Sequence, residues 1–312
     1  MVKQGIKMGK RIIGVILILL FIVLSYKYAN ALELHSILSP LIQHPVWLIT
    51  GLFLYGSSFF LKAIAWTRLV SPHLSFKTSL YGILYSLFFN HLLPMKGGEV
   101  VRGYVAWQRD HLSFPLVISS VVVARLLDII SLGILLLLGI GLHAIHFKKS
   151  WFIGVAVLLA ILIIVLLNYK RWPNKIKSLF SDVIHMIWSR SMLGTFLLIF
   201  VSWVLEAFLL WSVLKSYPFE INFLETVWVN SITILGQVFQ ITPGGIATYE
   251  TVMTYSLQMV GVHASDGFEI SLITHSLKFI FSYAIGLVVW LRYPIPLSYK
   301  TLSQEVKGVK QP

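Results

Sequence analysis

Between Met192 and Leu214 the chain runs for 23 residues with one charged side chain, Glu206. A helix of that length rises roughly 34 Å, enough to cross the hydrocarbon core of a bilayer. Runs of the same kind recur from Val46 to Ala65, Pro115 to Ile145, Trp151 to Asn168 and Phe268 to Leu291. Ile12 to Tyr26 is slightly short, but its ends can snorkel. A soluble domain would be about a quarter charged. Here 12% of 312 residues are charged and 57% are hydrophobic. No polar stretch is long enough for a separate soluble domain, so the chain reads as one polytopic membrane domain. The N-terminus is charged and then apolar, but no small-x-small cleavage site follows Leu24. It therefore reads as a retained span.

The chain has no cysteine, which excludes disulfides, thiolate metal sites and cysteine nucleophiles. A formal charge of +13 would suggest nucleic acid for a soluble protein. In a membrane protein it reflects cytoplasmic loops facing anionic lipid. No Walker A loop, HExxH or GxSxG occurs. The expectation is no catalytic residue, no metal, no cofactor and no direct nucleic-acid partner.

Two interruptions stand out. The apolar run Leu80 to Leu93 stops at Pro94, and Gly97, Gly98, Glu99 and Arg102 follow within a short amphipathic arm, Gly98 to Asp110. About 150 residues on, Phe223 to Ile241 leads to Pro243, Gly244 and Gly245, and Ala247 to Val260 follows with Glu250. Proline ends a helix and glycine allows a tight reversal. A helix restarting there points its positive end into the membrane, where it can hold a phosphate. A hairpin turn that merely packs is the plainer reading.

Each broken segment can be a span or a re-entrant hairpin. If both are hairpins, six full spans remain and both termini are cytoplasmic. Eighteen of the 25 Lys and Arg then lie inside, Lys62 among them. Lys27, Lys148, Lys149 and Lys215 lie outside, as the positive-inside rule favours. The fold expected is an all-α polytopic membrane protein, with six spans and two re-entrant broken-helix hairpins. Repeat unit one is 46–145, a linking span is 151–168, repeat unit two is 192–291, and 292–312 is a basic tail. Three crossings separate the unit starts, so the units are inverted, a transporter architecture. The loop Tyr169 to Arg190 reads as basic and polar.

Charges inside spans are costly and mark functional interiors. Glu99 with Arg102, and Arg125 with Asp128, are each three apart on one helix face. Either can be a structural ion pair or a headgroup contact. Glu206 has no partner in its own helix; it is protonated, or pairs with Arg125 or Lys278. Glu250 either caps the second hairpin or acts. Lys96 reads as a snorkelling bystander and His275 as a satisfied bundle histidine. Lys278, one turn beyond, is the stronger candidate.

Three stretches carry a resemblance: Asn90-His-Leu-Leu-Pro-Met-Lys-Gly-Gly-Glu-Val-Val-Arg102, Val123-Ala-Arg-Leu-Leu-Asp128, and Thr242-Pro-Gly-Gly-Ile-Ala-Thr-Tyr-Glu250. In this order they resemble the flippase-like transmembrane domain of lysylphosphatidylglycerol synthases, also called YbhN-like, over about residues 10–295. Glu206 falls where that family tends to carry an intramembrane acid. In full-length relatives a cytoplasmic domain moves lysine from lysyl-tRNA to phosphatidylglycerol, and the membrane domain is implicated in moving the product. This sequence stops at Pro312, so a stand-alone member without synthase activity is expected.

The resemblance implies a lipid flippase of a bacterial cytoplasmic membrane, handling a phospholipid such as aminoacylated phosphatidylglycerol. The alternative is the membrane part of a phosphatidylglycerol lysyltransferase acting in cationic-peptide resistance, its catalytic domain on another chain. A membrane scaffold that only binds a partner is a third reading. The partners expected are a membrane phospholipid and, in the alternative, a soluble or membrane synthase; a homo-oligomer is open. The headgroup site would draw on Pro94, Gly97, Gly98, Glu99, Arg102, Arg125, Asp128, Glu206, Pro243, Gly244, Gly245, Glu250 and Lys278.

Overall fold

The computed structural model describes residues 34–93, 96–143, 173–239 and 242–295. Within them every regular element is helical: α1 Leu34–Gln43, α2 Pro45–Val70, α3 Phe76–Leu92, α4 Gly98–Asp110, α5 Phe114–His143, α6 Asn174–Ile187, α7 Met192–Lys215, α8 Phe223–Gly236, α9 Thr248–Met259 and α10 Ala264–Arg292. Two 3-10 turns, Gln237–Phe239 and Pro243–Gly245, lie between α8 and α9. The expected spans at 12–26 and 151–168, Pro94, and the tail past 295 lie outside the described residues.

Helices α2, α5, α7 and α10 are long and apolar enough to cross a bilayer. Their outer faces carry Phe53, Leu137, Leu193, Ile280 and Leu287, all more than half exposed. The interior packs apolar side chains such as Trp66, Leu209 and Trp228 together with many small hydroxyl side chains. Ser58, Ser202 and Thr233 are fully buried and bond their own helix backbones, to Tyr55, Ile199 and Val229 carbonyls. Small residues that satisfy their own backbone let helices approach closely in a membrane bundle.

Helix ends differ from the expected ones for local reasons. α2 runs past Ala65 to Val70; Arg68 in its last turn complements the helix dipole, and Thr67 Oγ1 bonds the Ala63 carbonyl. α8 stops at Gly236, short of Ile241, where the chain tightens into a 3-10 turn. The loop expected from 169 to 190 instead contains α6, which turns Val183 and Met186 into the main core and packs on α5. The basic residues of that segment had masked a one-sided apolar stripe.

α3 and α4 form an antiparallel hairpin closed at its base. Asp110, last in α4, accepts from the Ser75 backbone N–H at 2.6 Å and from Thr78 Oγ1 at 2.9 Å. Ser75 is itself the N-cap of α3. The end of α10 docks on the same base: Tyr85 Oη donates to the Tyr293 carbonyl at 2.5 Å, and the Arg109 guanidinium lies 3.4 Å over the Tyr293 ring. The second broken segment starts with a capping box, Asn222 with Glu225. α8 then packs back on α9.

The packing has a reciprocal form. α2 and α7, first in the 46–145 and 192–291 segments, make the most extensive helix contact. α3 packs on α10, and in exchange α8 packs on α5. Both exchanged contacts use the same device. The Trp228 side chain of α8 occupies the space where Gly139 of α5 would carry a Cβ, and Phe88 of α3 does so at Gly286 of α10.

Candidate functional site

The charged residues of the long helices converge near mid-length. Asp128, Glu206 and Lys278 are each the fifteenth residue of their helices, about 21 Å from the first residue. Between them lies a cavity of about 140 Å³. That is roughly ten times the 10–15 Å³ one water requires. Glu99, Arg125, Asp128, Glu206, Gly244 and Lys278 line it, with Arg102 and Lys96.

A first cluster gathers at the start of α4. The Glu99 carboxylate accepts from Ser86 Oγ at 2.7 Å and from Arg125 Nη2, while Arg102 Nη1 lies 3.5 Å from its other oxygen. Arg125 Nη1 also donates to Asp128 Oδ2 at 3.1 Å. Both expected i,i+3 pairs therefore form, and Arg125 joins them. Arg102 is buried, its guanidinium 3.9 Å over the Trp66 ring. A desolvated cation over an aromatic face gains about 2 kcal/mol, part of what its burial costs.

A second cluster centres on Glu206. Its Oε1 accepts from Lys278 Nζ at 3.3 Å, and its Oε2 from Lys62 Nζ at 2.9 Å. The pairing with Lys278 was one expected alternative. Lys62 is a correction: read as a cytoplasmic loop-side cation, it lies on the cavity wall, because α2 continues eight residues beyond it. Its ammonium also rests 3.5 Å over the Trp203 ring.

Trp203 connects the two clusters. Its Nε1–H donates to Asp128 Oδ1 at 2.9 Å while its face supports Lys62. On the far side Lys278 Nζ lies 5.3 Å over Tyr249, and Tyr249 stacks on His275 at 4.1 Å. His275 Nε2 donates to the Gly244 carbonyl at 3.1 Å, and Nδ1 bonds Glu250 Oε1 at 2.6 Å. A continuous path of polar and aromatic contacts thus runs from Glu99, beside the first break, to Gly244 and Glu250 at the second.

The remaining expected residues stand around this path. Gly97 precedes α4 with ordinary helical backbone. Gly98 is buried, and a Cβ there would strike the Ser86 carbonyl; its N–H donates to Asn90 Oδ1 at 2.9 Å. Gly245 N–H donates to the Thr242 carbonyl at 3.1 Å. Of the four glycine amides at the two breaks, those of Gly98 and Gly245 therefore already have partners within the chain. Gly244 has φ +65, and a Cβ there would meet the Phe279 ring. Pro243 opens that turn and Pro94 lies outside the described residues. Glu250 stands behind His275, in the first turn of α9, without capping it by side chain. His275 is satisfied, as read from the sequence. Lys96, read as a bystander, lines the cavity with left-handed backbone, φ 52. The signal for Lys62 was present in the sequence: a lysine among Phe59, Phe60 and Trp66, inside a span.

Long apolar helices around a charged interior define a multi-pass helical membrane protein. The chain belongs to the family described as the lysylphosphatidylglycerol synthase TM region, which it matches over residues 11–286. Two relatives from Methanocaldococcus jannaschii are named as UPF0104 membrane proteins. MJ1078 is 23% identical over 65% of this chain and 93% of its own. MJ1595 is 24% identical over 92% of this chain and 96% of its own. No solved structure matches.

Proposed function

We propose that the protein translocates a phospholipid across a cytoplasmic membrane, passing the headgroup through the cavity between the two breaks while the acyl chains stay in lipid. The observation that carries this reading is the polar path from Glu99 to Gly244. A path of that kind inside a lipid-facing bundle offers a headgroup the polar partners that hydrocarbon denies it. Arg102, Arg125, Lys62 and Lys278 bind phosphate, and Glu99, Asp128 and Glu206 hold those cations in place between substrates. Glu250 and His275 keep the second break in shape.

The architecture proposed is six spans and two re-entrant hairpins in an inverted repeat, 46–145 and 192–291, with both termini cytoplasmic. α3 and α4 rise about 26 and 20 Å, and α8 and α9 about 21 and 18 Å, all short of a core of about 30 Å. The Asp110 closure supports one-sided entry of the first hairpin. The exchanged contacts α3 with α10 and α8 with α5 support the repeat. With no nucleotide motif in the sequence, the drive is a gradient or mass action.

Reconstitution tests this reading. Vesicles containing fluorescent phosphatidylglycerol and the protein should expose inner-leaflet label to external dithionite faster than empty vesicles. Arg125→Ala and Glu206→Ala should fall to the empty-vesicle rate at equal protein content. Equal rates with and without wild-type protein would overturn translocation.

A further inference from the structure

The cavity wall carries more positive charge than it neutralises. Lys62, Lys96, Arg102, Arg125 and Lys278 face three carboxylates, Glu99, Asp128 and Glu206. Glu250 stands off the wall and bonds His275. The carboxylates are largely engaged, Glu99 Oε2 alone having the Arg102 ion pair at 3.5 Å but no hydrogen bond among the described residues. Glu99 takes Ser86, Arg125 and Arg102; Asp128 takes Arg125 and Trp203; Glu206 takes both lysines.

Among the described residues, the wall's unpartnered donors outnumber its unpartnered acceptor. Arg102 Nε and Arg125 Nε are buried without an acceptor among the described residues, and Arg102 as a whole is 4% exposed. Tyr249 Oη, also on the wall and fully buried, has no hydrogen-bond partner among the described residues. Lys96 makes no ion pair with any described residue. A guanidinium Nε can only donate, so what completes this wall is an acceptor. Buried orphan donors are costly, and an oxyanion with several acceptor oxygens relieves more than one at once.

We propose that the cavity selects a phosphate-bearing headgroup of net negative charge and rejects one made cationic by an attached amino acid. This rests on the translocation reading for its route, but concerns which headgroup the site accepts. An ammonium entering the cavity meets five cations, and each wall carboxylate already serves at least two donors of the chain. Binding of a lysylated headgroup is therefore expected to be about tenfold or more weaker than that of its phosphatidylglycerol parent.

Thermal unfolding of the full chain in detergent tests this, with dioctanoyl-phosphatidylglycerol, its lysyl ester and inorganic phosphate as probes. Stabilisation by phosphatidylglycerol but not by the lysyl ester supports the proposal. An equal response to inorganic phosphate also supports it, with free phosphate as the ligand. An equal or larger response to the lysyl ester overturns it, as does no response to either anion. Lys96→Asn removes a cation that has no ion pair to break among the described residues and suits left-handed backbone. It should melt like wild type without ligand and lose at least half the phosphatidylglycerol response; an undiminished response overturns the charge-excess argument. Selective binding without leaflet exchange would retire translocation and leave the selectivity standing. Exchange without selectivity would do the reverse.

Discussion

Lys62 of α2 and Lys278 of α10 hold different oxygens of one carboxylate, Glu206 of α7, at 2.9 and 3.3 Å. Three long helices are thus tied at mid-length by one acid between two bases. Glu206→Gln keeps the shape and removes the charge, leaving the buried Lys278 ammonium and the half-buried Lys62 ammonium together. Breaking a buried pair in this way costs about 3–5 kcal/mol. The thermal midpoint in detergent should fall, and Glu206→Gln combined with Lys278→Met should recover part of the loss. A double variant no more stable than the single would show that the lysines do not depend on Glu206.

Trp203 has two separable roles. Trp203→Phe keeps a ring under Lys62 and deletes the donor to Asp128, whose Oδ1 is then unpaired at a cost of about 1–3 kcal/mol. Trp203→Leu deletes both contacts. Lipid exchange should decline in the order wild type, Phe, Leu. Identical rates for the Phe and Leu variants would reduce the indole to a spacer for Lys62.

The exchanged contacts predict matched glycine phenotypes. Gly286→Leu and Gly139→Leu each force a side chain into space held by Phe88 or Trp228, an overpacking worth about 1–3 kcal/mol. Gly286→Leu should be relieved by Phe88→Ala, and Gly139→Leu by Trp228→Ala, read as recovered melting midpoints. Rescue by the crosswise pairing instead would contradict the contact scheme.

The charged residues inside the spans were legible because hydrocarbon makes each one conspicuous in an apolar run. That is why Arg125, Asp128, Glu206 and Lys278 could be picked out from the sequence. Pairing was legible only where it was local, as in Glu99 with Arg102. Lys62 with Glu206 spans 144 positions, and no periodicity encodes a contact at that distance. Its place near the expected end of a span made it look interfacial. Lys96 was not expected on the cavity wall for a related reason: it has left-handed backbone, and nothing in its neighbours declares that φ. α6 was missed because lysines dominate its start while its apolar stripe lies later.

The re-entrant reading makes a directional claim that the absence of native cysteine allows to be tested cleanly. Lys77 lies in the first turn of α3 and Arg109 in the last turn of α4, and both cations sit over the ring of Tyr293 just past the end of α10. In right-side-out vesicles a membrane-impermeant maleimide should therefore treat Lys77→Cys and Arg109→Cys alike, reaching both only after the vesicles are opened. Glu220→Cys and Val260→Cys, flanking the second hairpin, should both react from outside without opening. On the proposed architecture, the separation by side would follow from three crossings between the unit starts, and the likeness within each pair from a hairpin that returns to its face of origin. Opposite sidedness of Lys77→Cys and Arg109→Cys would mean that α3 and α4 together cross the membrane, and the Asp110 closure argues against that geometry.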